Sequence, residues 1–315
     1  MRVATHAYTD AMLNQFNVLA AAQQNLQSQV STGLSVQAPS DNPTAMQNTL
    51  SYLANQSTQT QYSANIGTLQ TRATSVDSVL QSLQTISSRA GEIATSAGGA
   101  TTSPADLANY ADEVNSLINQ VVTAANTKDA STGKYLFGGT ASSSPPFTTT
   151  TDANGNVTAV TYNGNSSVNQ AQIGAGMTAS ADIPGANTSG TGPRGLITDS
   201  ASGADFLNHL ISLRNDLTAG NTTAVTNSDS ANLQKDENNI AYQVANNGVL
   251  QNQLTAAASF ATSNSQNLSQ MVSNSSSADL MNVMVQLSQA QTSYQAALES
   301  GSKIMSLSLL NYLPT

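Results

Sequence analysis

The 315-residue chain contains no cysteine and no tryptophan, and it is poor in charged and aromatic side chains. Without cysteine no disulfide framework can form, and the redox compartment stays undetermined. Charged residues make up only 9% and aromatic residues only 4% of the sequence, so a single large globular core is not expected. Long helices that each bury a narrow apolar stripe fit this composition better, because each needs few large apolar side chains.

The charge balance argues against nucleic acid and membrane as partners. The net charge is −9, and the nine basic residues are scattered rather than clustered. A nucleic-acid-binding surface needs a basic stripe, and anionic membranes attract basic clusters. No stretch reaches the roughly 18 consecutive apolar residues of a membrane span. Segment 1–10 lacks the apolar core of a cleavable secretory signal, so export would need another route.

The chemistry-bearing residues do not form a recognisable catalytic or metal-binding motif. Neither histidine, His6 or His209, has Asp, Glu or Cys at metal-ligand spacing, and a solvent-facing polar role is expected for both. Asp236 and Glu237 are interpreted as a solvated helix face. Segment 152–156 reads as a turn, because it lacks the carboxylates of a calcium loop. The sequence also contains no GxSxG elbow, so it predicts no enzyme activity, no cofactor and no metal.

Both ends of the chain carry apolar residues at coiled-coil spacing. In segment 278–313 the steps alternate between three and four residues. This apolar stripe, the seam of the C-terminal segment, contains Leu280, Val283, Leu287, Ala290, Tyr294, Ala297, Gly301 and Ile304. It is flanked by Met284, Leu298 and Met305. Near the N-terminus, Met12, Leu19 and Leu26 recur every seven residues, with Phe16 and Val30 in the neighbouring turns. Each end is either a surface helix on its own domain's core or half of a paired or intermolecular interface.

The first half of the chain alternates helices with strong turn signals. A helix is predicted from about residue 9 to 32, with Gly33 as its stop. Segment 37–43 contains two prolines and reads as a rigid corner, with Ser40 and Asp41 as candidate caps. A long helix should follow from Pro43 or Thr44 to residue 97. A third helix should begin at Ser103-Pro104 and continue to about residue 127.

The residue composition changes at the start of the second half of the chain. Segment 135–203 is rich in Gly, Pro, Thr, Ser and Asn, and Val157–Tyr162 is a β-type run between turn-forming residues that favour hairpins. It is either a small β-rich domain or a disordered Ser/Thr-rich linker. Helix is predicted to return at Asp205. A further long helix should run from about residue 222 to 274 and break at Ser275-Ser276-Ser277.

These patterns predict a mostly α protein. Both chain ends form long antiparallel helical coiled-coil arms, and a small β-rich domain is inserted between them. The predicted segments are an N-terminal assembly helix and corner (1–41), a helical core arm (42–134), the β-rich insertion (135–203), a second helical core arm (204–277) and a C-terminal assembly helix (278–315).

Several motifs resemble the flagellin family. Ser31-Thr32-Gly33, followed by Pro39-Ser40-Asp41-Asn42-Pro43, is similar to a signature in the N-terminal region of that family, with Asn42 where a second Asp is usual. Gln61-Tyr62 with Asn65, segment 124–127 and the C-terminal run 307–313 are also similar to it. The resemblance spans both helical arms, which is most of the chain outside residues 140–200.

Within that family, the insertion favours the members that join hook to filament over the filament subunit. Segment 135–140 followed by Pro146-Phe147 looks like the entry to their β insertion. Tyr162-Asn163-Gly164 and Gln172-Ile173-Gly174 look like its strands. The ending Asn311-Tyr312-Leu313 also resembles those members more than it resembles the filament subunit.

The resemblance implies a non-enzymatic structural subunit of the bacterial flagellum, outside the cell and exported without a cleavable signal peptide. Its partners would be copies of itself in a ring, the first hook-associated protein below and flagellin above. An export chaperone at the C-terminal helix is left open. Helix faces rich in Gln, Asn, Ser and Thr would let identical neighbours pack without like-charge repulsion, and such contacts can build open arrays.

Polymerisation would use residues of both terminal helices. The candidate assembly residues are Met12, Phe16, Leu19, Leu26, Leu280, Val283, Leu287, Tyr294, Leu298, Ile304, Leu309 and Tyr312, and the corner motif is Pro39, Ser40, Asp41, Asn42 and Pro43. One alternative is a minor flagellin with a filament role. Another is a chemoreceptor-like signalling coiled coil, against which the missing membrane spans, the β insertion and the corner all argue.

Overall fold

A computed structural model describes residues 2–99 and 102–310, which form long helices and a few short strands. The predicted mostly α fold with a small inserted β region is confirmed. The helices are α1 (Arg2–Thr32), α2 (Pro43–Ala97), α3 (Pro104–Ala125), α4 (Phe206–Thr218), α5 (Thr222–Ala224), α6 (Ser230–Ser276) and α7 (Leu280–Leu310). A π-turn, Val225–Asp229, lies between α5 and α6.

The insertion contains strands and is not a linker. Strands β1 (Phe147–Thr151) and β2 (Val157–Tyr162) form an antiparallel hairpin in which Phe147 lies opposite Tyr162. β2 coincides with the predicted β-type run. A second antiparallel hairpin joins β3 (Ala171–Gly174) to β4 (Met177–Ala179). In a third sheet, β6 (Thr198–Asp199) pairs in parallel with β5 (Ala186–Asn187) and antiparallel with β7 (Ala204–Asp205).

Most helix ends follow the local signals in the sequence. Gly33 ends α1 with φ of 70°, a left-handed conformation that glycine adopts without strain. α3 begins with a capping box, in which the Ser103 hydroxyl accepts from the Asp106 amide while the Asp106 carboxylate accepts from the Ser103 amide. α3 ends at Ala125, slightly before the predicted position. The helix expected from residue 222 onward is interrupted by the π-turn, which the sequence pattern did not indicate.

The chain divides into two compact units. The first unit comprises Met1–Thr58 and Ser263–Thr315, so it contains α1, α7, the start of α2 and the end of α6. In this unit the Thr49 hydroxyl donates to Ser275 Oγ at 3.1 Å, and Ser275 Oγ donates to the Ala45 carbonyl at 3.1 Å. The borders of the five segments predicted from the sequence stay a prediction.

The second unit, Gln59–Thr262, is built around the apolar stripe of α2. This stripe faces inward, and from Val76 onward it packs in one core with α3 and α4. The residues of the stripe are Ile66, Leu69, Ala73, Val76, Val79, Leu80, Leu83, Ile86, Ala90, Ile93, Ala94 and Ala97. Burial of one large aliphatic or aromatic side chain contributes roughly 1.5–3 kcal/mol. Repetition along one long helix therefore compensates for the shortage of aromatic residues.

The β insertion shares this helical core instead of forming its own. Phe147 and Val157 are buried in the same cluster as the residues of α2, α3 and α4. Ile173 lies in a second cluster with Ile66 and Leu254 of the helices. The insertion is therefore an integral part of the second unit, held by apolar contacts at two places.

Arg72 of α2 provides a polar attachment for the insertion. Its Nε lies 2.7 Å from the Asp182 carboxylate, and its Nη1 lies 3.4 Å from the Asp129 carboxylate. Its Nη2 also donates to the Leu136 carbonyl at 3.0 Å. The two carboxylate side chains are only 7% and 4% exposed, and the guanidinium supplies the positive charge that faces both of them, while neighbouring amide and hydroxyl groups donate further hydrogen bonds.

The interpretation of Asp236 and Glu237 as a solvated helix face is wrong for Asp236, which is buried. Its carboxylate lies 2.7 Å from Nδ1 of His209, so His209 has a carboxylate partner that its sequence neighbours do not supply. Burial raises the pKa of Asp236, and the bond to His209 opposes that rise. The sequence concealed the pair because the two residues lie on different helices. The His6 side chain lies outside the described residues.

Candidate assembly interface

The two ends of the chain form an antiparallel helix pair, α1 with α7, within the first unit. The rings of Phe16 and Tyr294 meet edge to face, with centroids 6.3 Å apart and planes at 75°. Near the other end of α1, Gly33 and Ser35 are hydrogen-bonded to the chain between α6 and α7. Because residues far apart in the sequence meet in reverse order, the two apolar seams cover each other.

Backbone hydrogen bonds join the two chain segments at the end of the pair where α1 ends and α7 begins. The Ser35 amide donates to the Ser276 carbonyl at 2.7 Å, and the Ala278 amide donates to the Gly33 carbonyl at 2.9 Å. These two bonds flank an isolated antiparallel bridge between Leu34 and Ser277. The chain segments that enter α2 and α7 are therefore joined by main-chain bonds, which depend on conformation rather than on particular side chains.

Gly301 allows α1 to approach α7 closely. It is buried, and a Cβ at this position would collide with Cε of Met12 and lie 3.1 Å from Cζ of Phe16. Glycine therefore makes room on α7 for two large side chains of α1. The sequence placed Gly301 in the seam but gave no indication that it faces Met12 and Phe16.

The structure places most of the predicted assembly residues at the covered face of this pair. Met12, Phe16, Leu19 and Leu26 of α1 are partly buried, as are Leu287 and Tyr294 of α7, and Val283 is buried. Leu280 and Leu298 are instead 44% and 45% exposed. Ile304 and Leu309 lie in α7, but their side chains lie outside the described residues, as does the whole of Tyr312. The pairing uses the seam within one chain, and a role in contacts between chains stays a prediction.

A second apolar face of α7 points away from the seam. Met281, Met284 and Val285 are 80%, 56% and 63% exposed. On α1, Leu13 and Val18 are 54% and 62% exposed. Exposed apolar side chains grouped at helical spacing are typical of a surface that binds another molecule.

The corner before α2 is capped by Asn42, and not by the predicted candidates Ser40 and Asp41. Asn42 Oδ1 accepts a hydrogen bond of 3.0 Å from the Ala45 amide, and Pro43 occupies the first helical position. Proline at that position needs no amide partner, and the residue before it becomes the cap. The position of Pro43 was the signal that identifies Asn42, and Asp would serve equally well there.

Asp41 has a different role, because it organises the loop between Val36 and Pro39. Its carboxylate accepts hydrogen bonds from the amides of Ala38 at 2.9 Å and Gln37 at 3.0 Å. These two bonds lower the pKa of Asp41, the one from Ala38 more than the one from Gln37. The corner is therefore held by an ionised carboxylate at neutral pH.

Gln37 connects the corner to the last turn of α1. Its amide nitrogen donates to Thr32 Oγ1 at 2.8 Å, and its amide oxygen accepts from Ser28 Oγ at 2.8 Å. Thr32 therefore has a specific partner in the corner that follows it. The bonds of Gln37 to α1 were not predicted from the sequence, although a long side-chain amide beside a cluster of turn-forming residues was the available signal.

Two kinds of site are absent from the described part of the chain. Among residues 2–99 and 102–310, no group of His, Cys, Asp or Glu is arranged to hold a metal ion. In the same ranges no helix is long and apolar enough to cross a membrane. The features that remain are a paired set of terminal helices, a locked corner and exposed apolar faces.

Comparison with known protein families gives a match in the first part of the chain. Residues 3–142 match the family model of the bacterial flagellin N-terminal helical region. This stretch contains α1, the corner, α2 and α3, and it confirms the resemblance to the flagellin family that the corner motif predicted. No curated protein sequence matches the chain.

Solved structures then identify the type of fold. A putative flagellar hook-associated protein from Vibrio parahaemolyticus is similar with a TM-score of 0.63 and 19% identity, covering 75% of this chain and 100% of that chain. Flagellar hook-associated protein 3 from Legionella pneumophila has a TM-score of 0.57 and 16% identity, with 71% and 96% covered. FlgL from Bacillus cereus has a TM-score of 0.55 and 17% identity, with 70% and 97% covered. At these identities the likeness establishes that this chain has the fold of those proteins.

Proposed function

We propose that this chain is a structural subunit of the bacterial flagellum that joins the hook to the filament. It polymerises through its N- and C-terminal helices. The observation that carries the proposal is the α1–α7 pair, which uses both ends of the chain and lies on a fold similar to that of hook-associated protein 3. A flagellin-type N-terminal region in the same chain supports it.

The surface of the pair suits packing against other subunits. Between residues 280 and 310, α7 carries only Glu299 and Lys303 as charged residues, while Met281, Met284 and Val285 are exposed. Copies of such a face can approach without like-charge repulsion, and each contact removes apolar surface from water. This property supports the proposed packing of identical subunits in a ring.

The proposal includes specific neighbours and a location. Copies of this chain form the ring, the first hook-associated protein lies below it, and flagellin lies above it. An export chaperone bound at α7 would cover the apolar face before assembly. The protein acts outside the cell as part of the flagellum and has a structural rather than an enzymatic role.

A deletion strain distinguishes this function from that of a minor flagellin. Loss of a junction subunit should leave hooks without filaments and release flagellin into the medium. Loss of a minor flagellin should leave filaments in place. Electron microscopy of the cells and immunoblotting of the medium report both outcomes, and intact filaments in the deletion strain would exclude the junction role.

Sedimentation of the purified chain tests the role of α7. The full chain and a version truncated after Ser277 are each run alone and with the first hook-associated protein. The full chain should form larger species with that partner, and the truncated chain should stay monomeric. Equal behaviour of both versions would mean that α7 serves only the fold of its own chain.

Charge substitution on α7 tests the packing in cells. Gln286 and Gln289 are exposed on α7, so Gln286→Lys and Gln289→Glu should leave the folded monomer intact. If these side chains are covered by a neighbouring subunit, each variant should reduce motility because a charge is desolvated there. Gln84→Lys, at an exposed position of α2 in the second unit, is the matched control. Normal motility of both α7 variants would show that this face is not packed.

A further inference from the structure

The π-turn between α5 and α6 brings a carboxylate into the interior of the second unit. In this turn the Ser230 amide bonds to the Val225 carbonyl, and the Ser230 hydroxyl donates to the same oxygen at 2.9 Å. A π-turn adds one residue to a helical turn and therefore changes which side chains point inward. Here Val225 and Asp229 are both directed inward, and Asp229 is only 1% exposed.

α4 presents a polar face to this turn. His209, Ser212 and Asp216 follow one another at steps of three and four residues, so they lie on one side of α4. His209 bonds to Asp236 at 2.7 Å, while Ser212 and Asp216 act on Asp229. Asp229 and Asp236 are seven residues apart. The polar face of α4 therefore contacts the π-turn and α6 through two polar pairs, one at each end of this face: Asp216 with Asp229, and His209 with Asp236.

The two polar pairs differ in charge. In the first pair the carboxylate of Asp236 faces the imidazole of His209. In the second pair Asp229 faces another carboxyl group, that of Asp216, and its Oδ2 has no hydrogen-bond partner among the residues that the structure describes. Burial raises the pKa of Asp229 to about 6, and Asp216 adds to the rise, while Ser212 and the more distant His209 oppose it.

We propose that the π-turn is a proton-dependent joint between α4 and α6, in which protonated Asp229 holds the two helices together and its ionisation loosens the turn. In the protonated form, the carboxyl O–H of Asp229 can donate to the Asp216 carboxylate. In the ionised form, the buried charge of Asp229 faces that carboxylate and is itself shielded from water. The local structure then gains stability if the π-turn opens and hydrates Asp229.

The direction of the pH dependence follows from proton binding. Between the ordinary pKa of 3.8 and about 6, the folded state binds this proton more tightly than the unfolded chain does. The free energy of unfolding therefore falls as pH rises through that range and changes little from this group above it. A pKa difference of about two units corresponds to at most a roughly 100-fold change in the equilibrium constant for opening or unfolding.

The experiment measures hydrogen–deuterium exchange of segment 222–232 and the urea midpoint of the full chain between pH 4.5 and 8. Exchange rates are corrected for their intrinsic pH dependence. In the unaltered chain, protection of this segment should fall by about ten-fold between pH 5 and 7.5. Asp229→Asn keeps the size of the side chain but cannot ionise, so its protection should be independent of pH over this range.

Three further variants make the result decisive. Glu237→Gln, at an exposed position on the same helix, should keep the full pH dependence. Asp216→Asn removes the facing charge, so it should move the transition to lower pH even if Asp229→Asn folds poorly. His209→Asn tests the imidazole as the source of the effect. The proposal is overturned if the pH dependence persists in Asp229→Asn, disappears only in His209→Asn, or is unmoved in Asp216→Asn.

Discussion

The close approach of α1 and α7 at Gly301 gives a prediction in which two opposing effects can be compared. In Gly301→Ala, the new methyl group displaces the end of the Met12 side chain, at a cost of about 0.5–1.5 kcal/mol if that side chain leaves its preferred rotamer. Alanine also stabilises a helix interior by about 1 kcal/mol relative to glycine. The effects nearly cancel, so the free energy of unfolding should change by less than about 1 kcal/mol.

Leucine at the same position should have a different result. Gly301→Leu has a similar helix advantage, but its longer side chain occupies the space of both Met12 and Phe16. Overpacking costs about 1–3 kcal/mol. Separation of the helices would also remove the edge-to-face contact of Phe16 with Tyr294, worth about 0.5–1.5 kcal/mol. The net loss should therefore be about 1–3 kcal/mol.

Hydrogen–deuterium exchange of segments 12–30 and 283–303 measures the opening of the pair directly, and urea unfolding measures the whole chain. Ser302→Leu is the matched control, because Ser302 is adjacent in sequence but exposed. Its exchange should equal that of the unaltered chain. If Gly301→Leu is as well protected as Gly301→Ala, or if Ser302→Leu is equally disruptive, then close packing at Gly301 does not hold the pair together.

The other predictions concern the corner and the insertion. Asn42→Ala should lose about 1 kcal/mol of unfolding free energy while Asn42→Asp loses almost none, as measured by urea unfolding, since both Asn and Asp cap a helix; equal losses would contradict the capping role. Because the pKa of Asp41 is lowered, its stabilising effect should be present above its ordinary pKa of 3.8 and fade as pH falls below that value. Acid unfolding of Asp41→Asn should lack that component, and an unchanged profile would argue against it. Arg72→Met should cost about 3 kcal/mol or more in urea unfolding, because the buried carboxylates of Asp129 and Asp182 lose their shared cation; further removal of both carboxylates should restore part of the loss.

Periodicity predicted the long helices well, because each buries one continuous stripe. The apolar stripe of α2 from Ile66 to Ala97 is buried within the predicted long helix, and β2 matches the predicted run Val157–Tyr162. The seams at the two chain ends were also recognised, although the sequence left open what covers them. Apolar spacing predicts such helices and strands because the packing of a regular element depends more on the spacing of its apolar residues than on the identity of its partner.

The polar residues were predicted less well. Asp236 was expected on a solvated face but is buried against His209, and the carboxamides of Asn239 and Gln243 donate to carbonyls of the insertion. In the sequence, a buried polar residue on a helix cannot be distinguished from a solvated one until its partner is known. The π-turn escaped for the same reason, since its cause is the fit of Asp229 and Val225 against other elements.

By itself the sequence determined which segments form the long helices, the end of α1 at Gly33, the start of α2 at Pro43, the place of the β insertion and the resemblance carried by the corner motif. These features depend on backbone preferences and on apolar spacing, which neighbouring residues fix. Tertiary structure alone decided that α1 covers α7 and that Asp229 enters the interior. Each of these outcomes depends on groups that are distant in the sequence or on three-dimensional geometry, so the order of residues does not reveal it.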